Sequence, residues 1–282
     1  MKFATFIYQT RAAEVTAVAQ RAEALGYESL WVPEHIVMPV RYQSRYPYHP
    51  SGLMVTPPET PYLDPMITLG FAAAATRNIR LATGILVVPI RNPFATAKAV
   101  ASLDVLSDGR MIFGVGIGWL REEFEVVGMN FDDRARRTRE YLALMKELWS
   151  KDEPVFHGAT VHVEGVRFTP KPIQKPHPPI VFGGDSDPSL RRAAQLGDGW
   201  YGIVDSVEAA RNVIARLREF ERTVGRTTPL EITVNPRWSG PLMRDHVKQL
   251  GEMGVDRMIV SGGREAHDAI VTIERLHDDL MV

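Results

Sequence analysis

NIRLATGILVVPIRNPFATAKAVASLDVLSDGRMIFGVGIGW, residues 78–119, decides the fold. Its first segment, Ile79–Val88, is apolar and β-branched and reads as a strand with Gly84 in its middle. Asn92 offers an N-cap oxygen and Pro93 a preset φ, so a helix is predicted to start there. Small residues (Ala95, Ala97, Ala99, Ala101) line that helix, and Gly109, tolerant of αL, is its expected stop. A second apolar strand, Met111–Gly116, follows at once. Strand, helix, strand at this spacing is a βαβ unit, which joins parallel strands by a right-handed crossover. Gly84 lies inside one strand, and Gly114, Gly116 and Gly118 fall in and just after the next. Interior strand glycine marks either close packing or a place where something flat lies on the backbone.

Working outward, the same alternation repeats. Lys2–Tyr8 is read as a first strand and Arg11–Leu25 as a helix ending at Gly26. Glu28–Val32 is a second strand, stopped by Pro33. The segment Glu34–Leu63 is a Pro- and Tyr-rich loop, and loops longer than about 12–15 residues are usually functional or disordered. Asp64-Pro65 starts a helix to about Ala75. Beyond Trp119 a helical region runs to Trp149, and Val155–Gln174 is expected to be a hairpin-like excursion. Strands five to eight are placed at Ile180–Phe182, Gly199–Gly202, Leu230–Val234 and Arg257–Val260. Their helices span about Pro188–Leu196, a stretch ending at Val224, Pro241–Met253 and Glu265–Leu280. Asp205 and Glu208 are read as a capping box for the second of these. The expected fold is α/β: a (β/α)8 TIM barrel, forming one domain over residues 1–282. A doubly wound sheet would want a glycine-rich turn after the first strand, and Tyr8-Gln9-Thr10 is none.

Composition narrows the function. Net charge is −1 and no Lys/Arg block stands out, so neither nucleic acid nor an anionic membrane is an expected partner. There is no cysteine, which excludes disulfides, thiolate metal sites and a Cys nucleophile and agrees with a cytoplasmic enzyme. His157 and His162 have no carboxylate at ligand spacing, so no metal is expected. In a barrel, ligands bind at the C-terminal strand ends. Those ends read Glu34-His35, Gly84–Val88, Gly116–Trp119, Gly183–Ser186, Asn235–Trp238 and Ser261–Gly263. Histidine exchanges a proton near neutral pH, which makes His35 the candidate catalytic group, with a packing histidine as the alternative. Gly183-Gly184-Asp185-Ser186 and Ser261–Gly263 each precede a helix and offer backbone N–H groups to a phosphate.

TGILVVPIRNPFATAKAVASLDVLSDGRMIFGVGIGW, with ESLWVPEH before it and PPIVFGGDSDPSLRRAAQLGDGWYG after it, resembles the luciferase-like monooxygenase superfamily, and within it the coenzyme F-420-dependent oxidoreductase branch. The resemblance implies a barrel that binds a flavin or deazaflavin at its mouth. It places His35 at the ring, after Glu34 where several relatives have Asp. It puts Gly84 and Ile85 at a non-prolyl cis peptide behind the ring, and the cofactor phosphate on Gly183, Gly184, Asp185 and Ser186. Gly116, Gly118 and Trp119 join the cofactor side; Tyr42, Tyr46, His49 and Trp119 are expected to face the substrate. Some sugar-phosphate dehydrogenases of this branch carry a catalytic Glu where this chain has Trp119, so sugar phosphate is not the expected substrate. The implied activity is hydride transfer between coenzyme F-420 and a small organic molecule, in a homodimer. An FMN-dependent monooxygenase, a flavin-binding barrel without turnover and a redox-free phosphate-handling barrel are the alternatives.

Overall fold

Each apolar run between turn signals forms a strand that pairs with its neighbour. The structure, a computed structural model, describes every residue except Val55, Ser239, Ser261, Gly262 and Val282. In chain order the strands are β1 (Lys2–Phe6), β2 (Ser29–Val32), β3 (Arg80–Thr83), the stub β4 (Leu86–Val87), β5 (Met111–Gly116), the short β6 (Phe156–His157) and β7 (His162–Val163), β8 (Ile180–Gly183), β9 (Gly199–Val204), β10 (Glu231–Pro236) and β11 (Arg257–Val260). β1 pairs with β2, β2 with β3, β3 with β5, β5 with β8, and so on to β11, which returns to β1. Every one of these pairings is parallel, so the eight strands close into the expected barrel. β6 and β7 form an antiparallel pair outside it, within the predicted excursion.

The helices are α1 (Ala12–Ala24), α2 (Pro65–Ala75), α3 (Pro93–Leu106), α4 (Arg121–Val126), α5 (Arg134–Ser150), α6 (Asp187–Leu196), α7 (Val207–Thr223), α8 (Arg244–Glu252) and α9 (Ala266–Leu276). None is long and apolar enough to cross a membrane, among the described residues. Asp64 caps α2 by accepting from the N–H groups of Met66 and Ile67, and Asn92 caps α3 through Phe94 and Ala95. Three local readings are corrected. α7 is capped by Ser206, which accepts from Ala209 N–H; the helix starts one residue later than a cap at Asp205 requires. The region from Trp119 to Trp149 is two helices, because Gly128 adopts φ +73 after α4. Ile79–Val88 is not one strand: it breaks at Gly84-Ile85, and Val88–Ile90 is a 3-10 turn.

Inside the barrel, Ala4, Phe6, Trp31, Ala82, Ile112, Val181, Tyr201 and Ile259 form the lumen core. A larger apolar layer lies between strands and helices. Gly114 lets β3 and β5 approach, since a Cβ there would stand 1.9 Å from Thr83 O. Fully buried Arg257 is held by Glu28, Glu231 and Thr233.

Candidate active site

The C-terminal strand ends open onto a cavity of about 450 Å³. Its floor is built by a glycine notch. Ile85, joined to Gly84 by a cis peptide bond, inserts its side chain between β5 and β8. A Cβ on Gly116 would lie 2.1 Å from Ile85 Cδ1, and one on Gly183 2.8 Å from the same atom. Gly84 itself packs under Phe6 and Trp31, where a Cβ would meet atoms at 3.0 and 3.1 Å. Close packing of the protein on itself therefore explains these glycines, while Gly84, Ile85, Gly116 and Gly183 also line the cavity. Gly118, at φ +79, and Trp119 continue the lining.

On the wall stands His35, its side chain 10% exposed. Its Nδ1 lies 3.0 Å from Glu123 Oε2, and the other oxygen of that carboxylate accepts from the N–H of Ile36 at 2.8 Å. Glu123, on α4, is 2% exposed and spends both oxygens on the segment carrying the imidazole. Glu34 also lines the cavity, yet both its oxygens are occupied. One pairs with the Arg91 guanidinium and the other accepts from Val87 N–H, which ties β4 to the end of β2. Burial pushes the Glu34 carboxyl up to about 7, against the pull of Arg91 and Val87 N–H. Asp64 shares the Arg91 Nη2 with Glu34, at 2.7 Å.

Trp119 anchors an aromatic wall. Tyr46, Tyr42 and His35 meet it edge-on at 5.1, 5.7 and 6.4 Å between ring centroids. Tyr46 lines the cavity; Tyr42 supports it from behind, with its hydroxyl accepting from Met54 N–H. His49 is exposed, does not line the cavity and bonds Ser51 at 2.7 Å. Opposite, Gly183, Gly184, Asp185 and Ser186 form the turn before α6. Gly184 sits at φ +111, and Ser186 Oγ bonds Ser189 Oγ instead of capping the helix, so the first N–H groups of α6 are not taken by that side chain. Arg45, Arg134, Arg237 and Arg264 complete a basic rim. The alternative phosphate turn falls partly on Ser261 and Gly262, outside the described residues. Its Gly263 carbonyl accepts from Gln9 Nε2 at 3.2 Å and does not line the cavity.

A profile described as luciferase-like monooxygenase matches residues 2–238. The chain belongs to the luciferase-like monooxygenase family. An uncharacterised protein of Mycobacterium tuberculosis (strain ATCC 25618 / H37Rv) is 34% identical over 244 residues, 86% of this chain and 83% of that protein. An FMNH(2)-dependent dimethylsulfone monooxygenase of Pseudomonas putida is 32% identical over 148 residues, 51% of this chain and 40% of the enzyme. The structure of an F420-dependent secondary alcohol dehydrogenase, in complex with an F420-acetone adduct, superposes with TM-score 0.78 at 18% identity, covering 99% of this chain and 98% of that one. The family is thus one of flavin- or deazaflavin-dependent oxidoreductases.

This luciferase-like site contains residues that sequence reasoning missed. Glu123 is the foremost, and its partner His35 lies 88 positions away. No spacing rule connects a glutamate in REEFEV to a histidine after another strand. Arg91, beside the Asn92 cap, was given no role. Tyr48 and Arg134 carried no motif, whereas Arg237 fell inside a strand end already singled out, Asn235–Trp238.

Proposed function

We propose that this luciferase-like protein passes a hydride between coenzyme F-420 and a small organic alcohol or carbonyl compound. The observation that carries the reading is the His35 imidazole, fixed by Glu123 on the wall of a glycine-floored, arginine-rimmed cavity. The cavity falls within the usual range of about 300–1,000 Å³ for cofactor sites. Gly84, Ile85, Gly116 and Gly118 would hold the ring, and Gly183–Ser186 with the rim arginines suit an anionic tail. When bound, the deazaflavin supplies the hydride; the protein supplies position and a proton. Accepting from Nδ1–H, Glu123 assigns the tautomer that leaves Nε2 free to take the substrate hydroxyl proton or, once charged, to return it. Tyr62 and Trp119 stand edge-on to the imidazole at 5.4 and 6.4 Å, and the side chain is only 10% exposed, which limits its access to bulk water. The fold, shared end to end with the F420-dependent alcohol dehydrogenase, is compatible with the deazaflavin reading.

A second reading, an FMN-dependent monooxygenase, draws on the identity with the dimethylsulfone monooxygenase over half the chain. Purified protein titrated separately with coenzyme F-420 and FMN, by calorimetry, decides between them. Micromolar binding of coenzyme F-420 alone, about −8 kcal/mol, is the expected result. Binding of FMN alone overturns the deazaflavin reading, and binding of neither overturns both.

A further inference from the structure

A second concave surface lies between α5 and α6, a groove of about 390 Å³ lined by Arg139, Asp187, Arg191, Arg192 and Gln195. Arg192 is buried, 7% exposed, and its Nε has no hydrogen-bond partner among the described residues. A guanidinium does not escape burial by losing its proton, so it calls for a counter-charge. None is supplied locally. Asp187 is the one acid among the lining residues, and its carboxylate is held by Arg216 at 2.5 Å. Arg139 and Arg191 are exposed, and Arg191 lies over the Phe220 ring at 5.3 Å. Burial and the nearby charges of Arg139 and Arg134 all push the Arg192 guanidinium down, with no carboxylate offsetting them.

We propose that the groove between α5 and α6 is an anion site, distinct from the main cavity, that takes a phosphate- or carboxylate-bearing group between Arg192, Arg139 and Arg191. A forked guanidinium pairs with such oxyanions in bidentate fashion; Arg139 can close over a ligand seated on the buried one, and Arg191 can do so by leaving the Phe220 ring. The groove adjoins the main cavity: Asp187 follows Ser186 directly, and Arg134, close enough to act on Arg192, lines that cavity. Two sources of anion suit this position, a separate small molecule and the far end of a molecule held in the main cavity.

Inorganic pyrophosphate is the probe, titrated by calorimetry into the protein and into Arg192→Gln. The expected result is a binding event in the parent that weakens at least about tenfold in the variant, or about 1.4 kcal/mol. Equal binding in both, or no binding to the parent, overturns the site. Should Arg192→Gln fail to give the parent circular dichroism spectrum, Arg139→Gln and Arg191→Gln at the exposed positions replace it. At least one of the two must then weaken binding several-fold, and unchanged affinity in both overturns the proposal. Repeating the titration with saturating FMN or coenzyme F-420 separates the sources. Loss of the Arg192-dependent event assigns the anion to the molecule in the main cavity, and its survival assigns a separate ligand. A protein that binds neither cofactor still reports on the groove.

Discussion

Glu123 holds the His35 segment by side chain and backbone at once, so the position of the imidazole on the cavity wall depends on this carboxylate. His35→Asn is expected to lower kcat by about 10²-fold or more, with cofactor affinity changed only a few-fold. A variant that turns over normally would make the imidazole a packing group. Glu123→Gln keeps an oxygen for the Ile36 N–H but can present an amide N–H to Nδ1, which reverses the tautomer. Its kcat is expected to fall by about tenfold or more while substrate KM holds. A rise in KM together with a fall in kcat and loss of fold would mean that Glu123 is structural. His35 was legible because it ends a strand beside an aromatic loop. Its partner was not, because ion pairs across distant elements leave no local pattern.

Among the elements, the long loop after β2 owes its placement to α4. Glu122 accepts from the N–H groups of Gln43 at 2.6 Å and Ser44 at 3.2 Å, and Ser44 Oγ returns a bond from Arg121 N–H at 3.0 Å. Burial alone would raise the Glu122 carboxyl, but Ser44 and these N–H groups hold it below the usual carboxylate range. A depressed folded value means that the tether contributes fully above the unfolded value, about 4.3, and is lost as pH falls through the folded one. Hydrogen exchange at Gln43 and Ser44 should therefore show protection at neutral pH that disappears in acid. Glu122→Ala should cost about 1 kcal/mol locally at neutral pH, read as a roughly fivefold loss of that protection. Protection equal to the parent's would sever loop from helix. Most elements were readable because period and caps are local: Asp64-Pro65 and Asn92-Pro93 start α2 and α3 as expected. The break at Gly84-Ile85 was not readable from the β-branched run, whose apolar continuity hides a change of direction; only the family resemblance pointed there.

The whole barrel rests on a buried charge cluster away from its mouth. Arg257, 1% exposed, donates to Glu28 at 2.7 Å through two nitrogens and to Thr233 at 3.0 Å. Removing one member of such a cluster strands the others. Arg257→Ala is expected to destabilise the fold by about 3–5 kcal/mol in denaturant titrations. Ligand affinity at the mouth, measured where the variant is still folded, should stay as in the parent. Stability unchanged within about 0.5 kcal/mol would show that the cluster contributes little. Eight alternations foretold the closed barrel, because parallel strands joined by helices have few ways to cover both faces. Arg257 was assigned to a strand by its apolar neighbours, and nothing in one sequence marked it as the charge that its interior encloses.

The notch that receives Ile85 has a historical consequence. Gly116 and Gly183 belong to different strands but serve one methyl group, so the three positions are not free to change one at a time. Gly116→Ala in the parent drives a new carbon into Ile85 and should cost about 1–3 kcal/mol by overpacking. In an Ile85→Ala background the same step meets open space and should cost less, a coupling of at least about 1 kcal/mol in a double-mutant cycle. A descendant that reshapes the floor of this cavity must therefore shorten residue 85 before it fills either glycine. The reverse order passes through a protein that is crowded at its own active site.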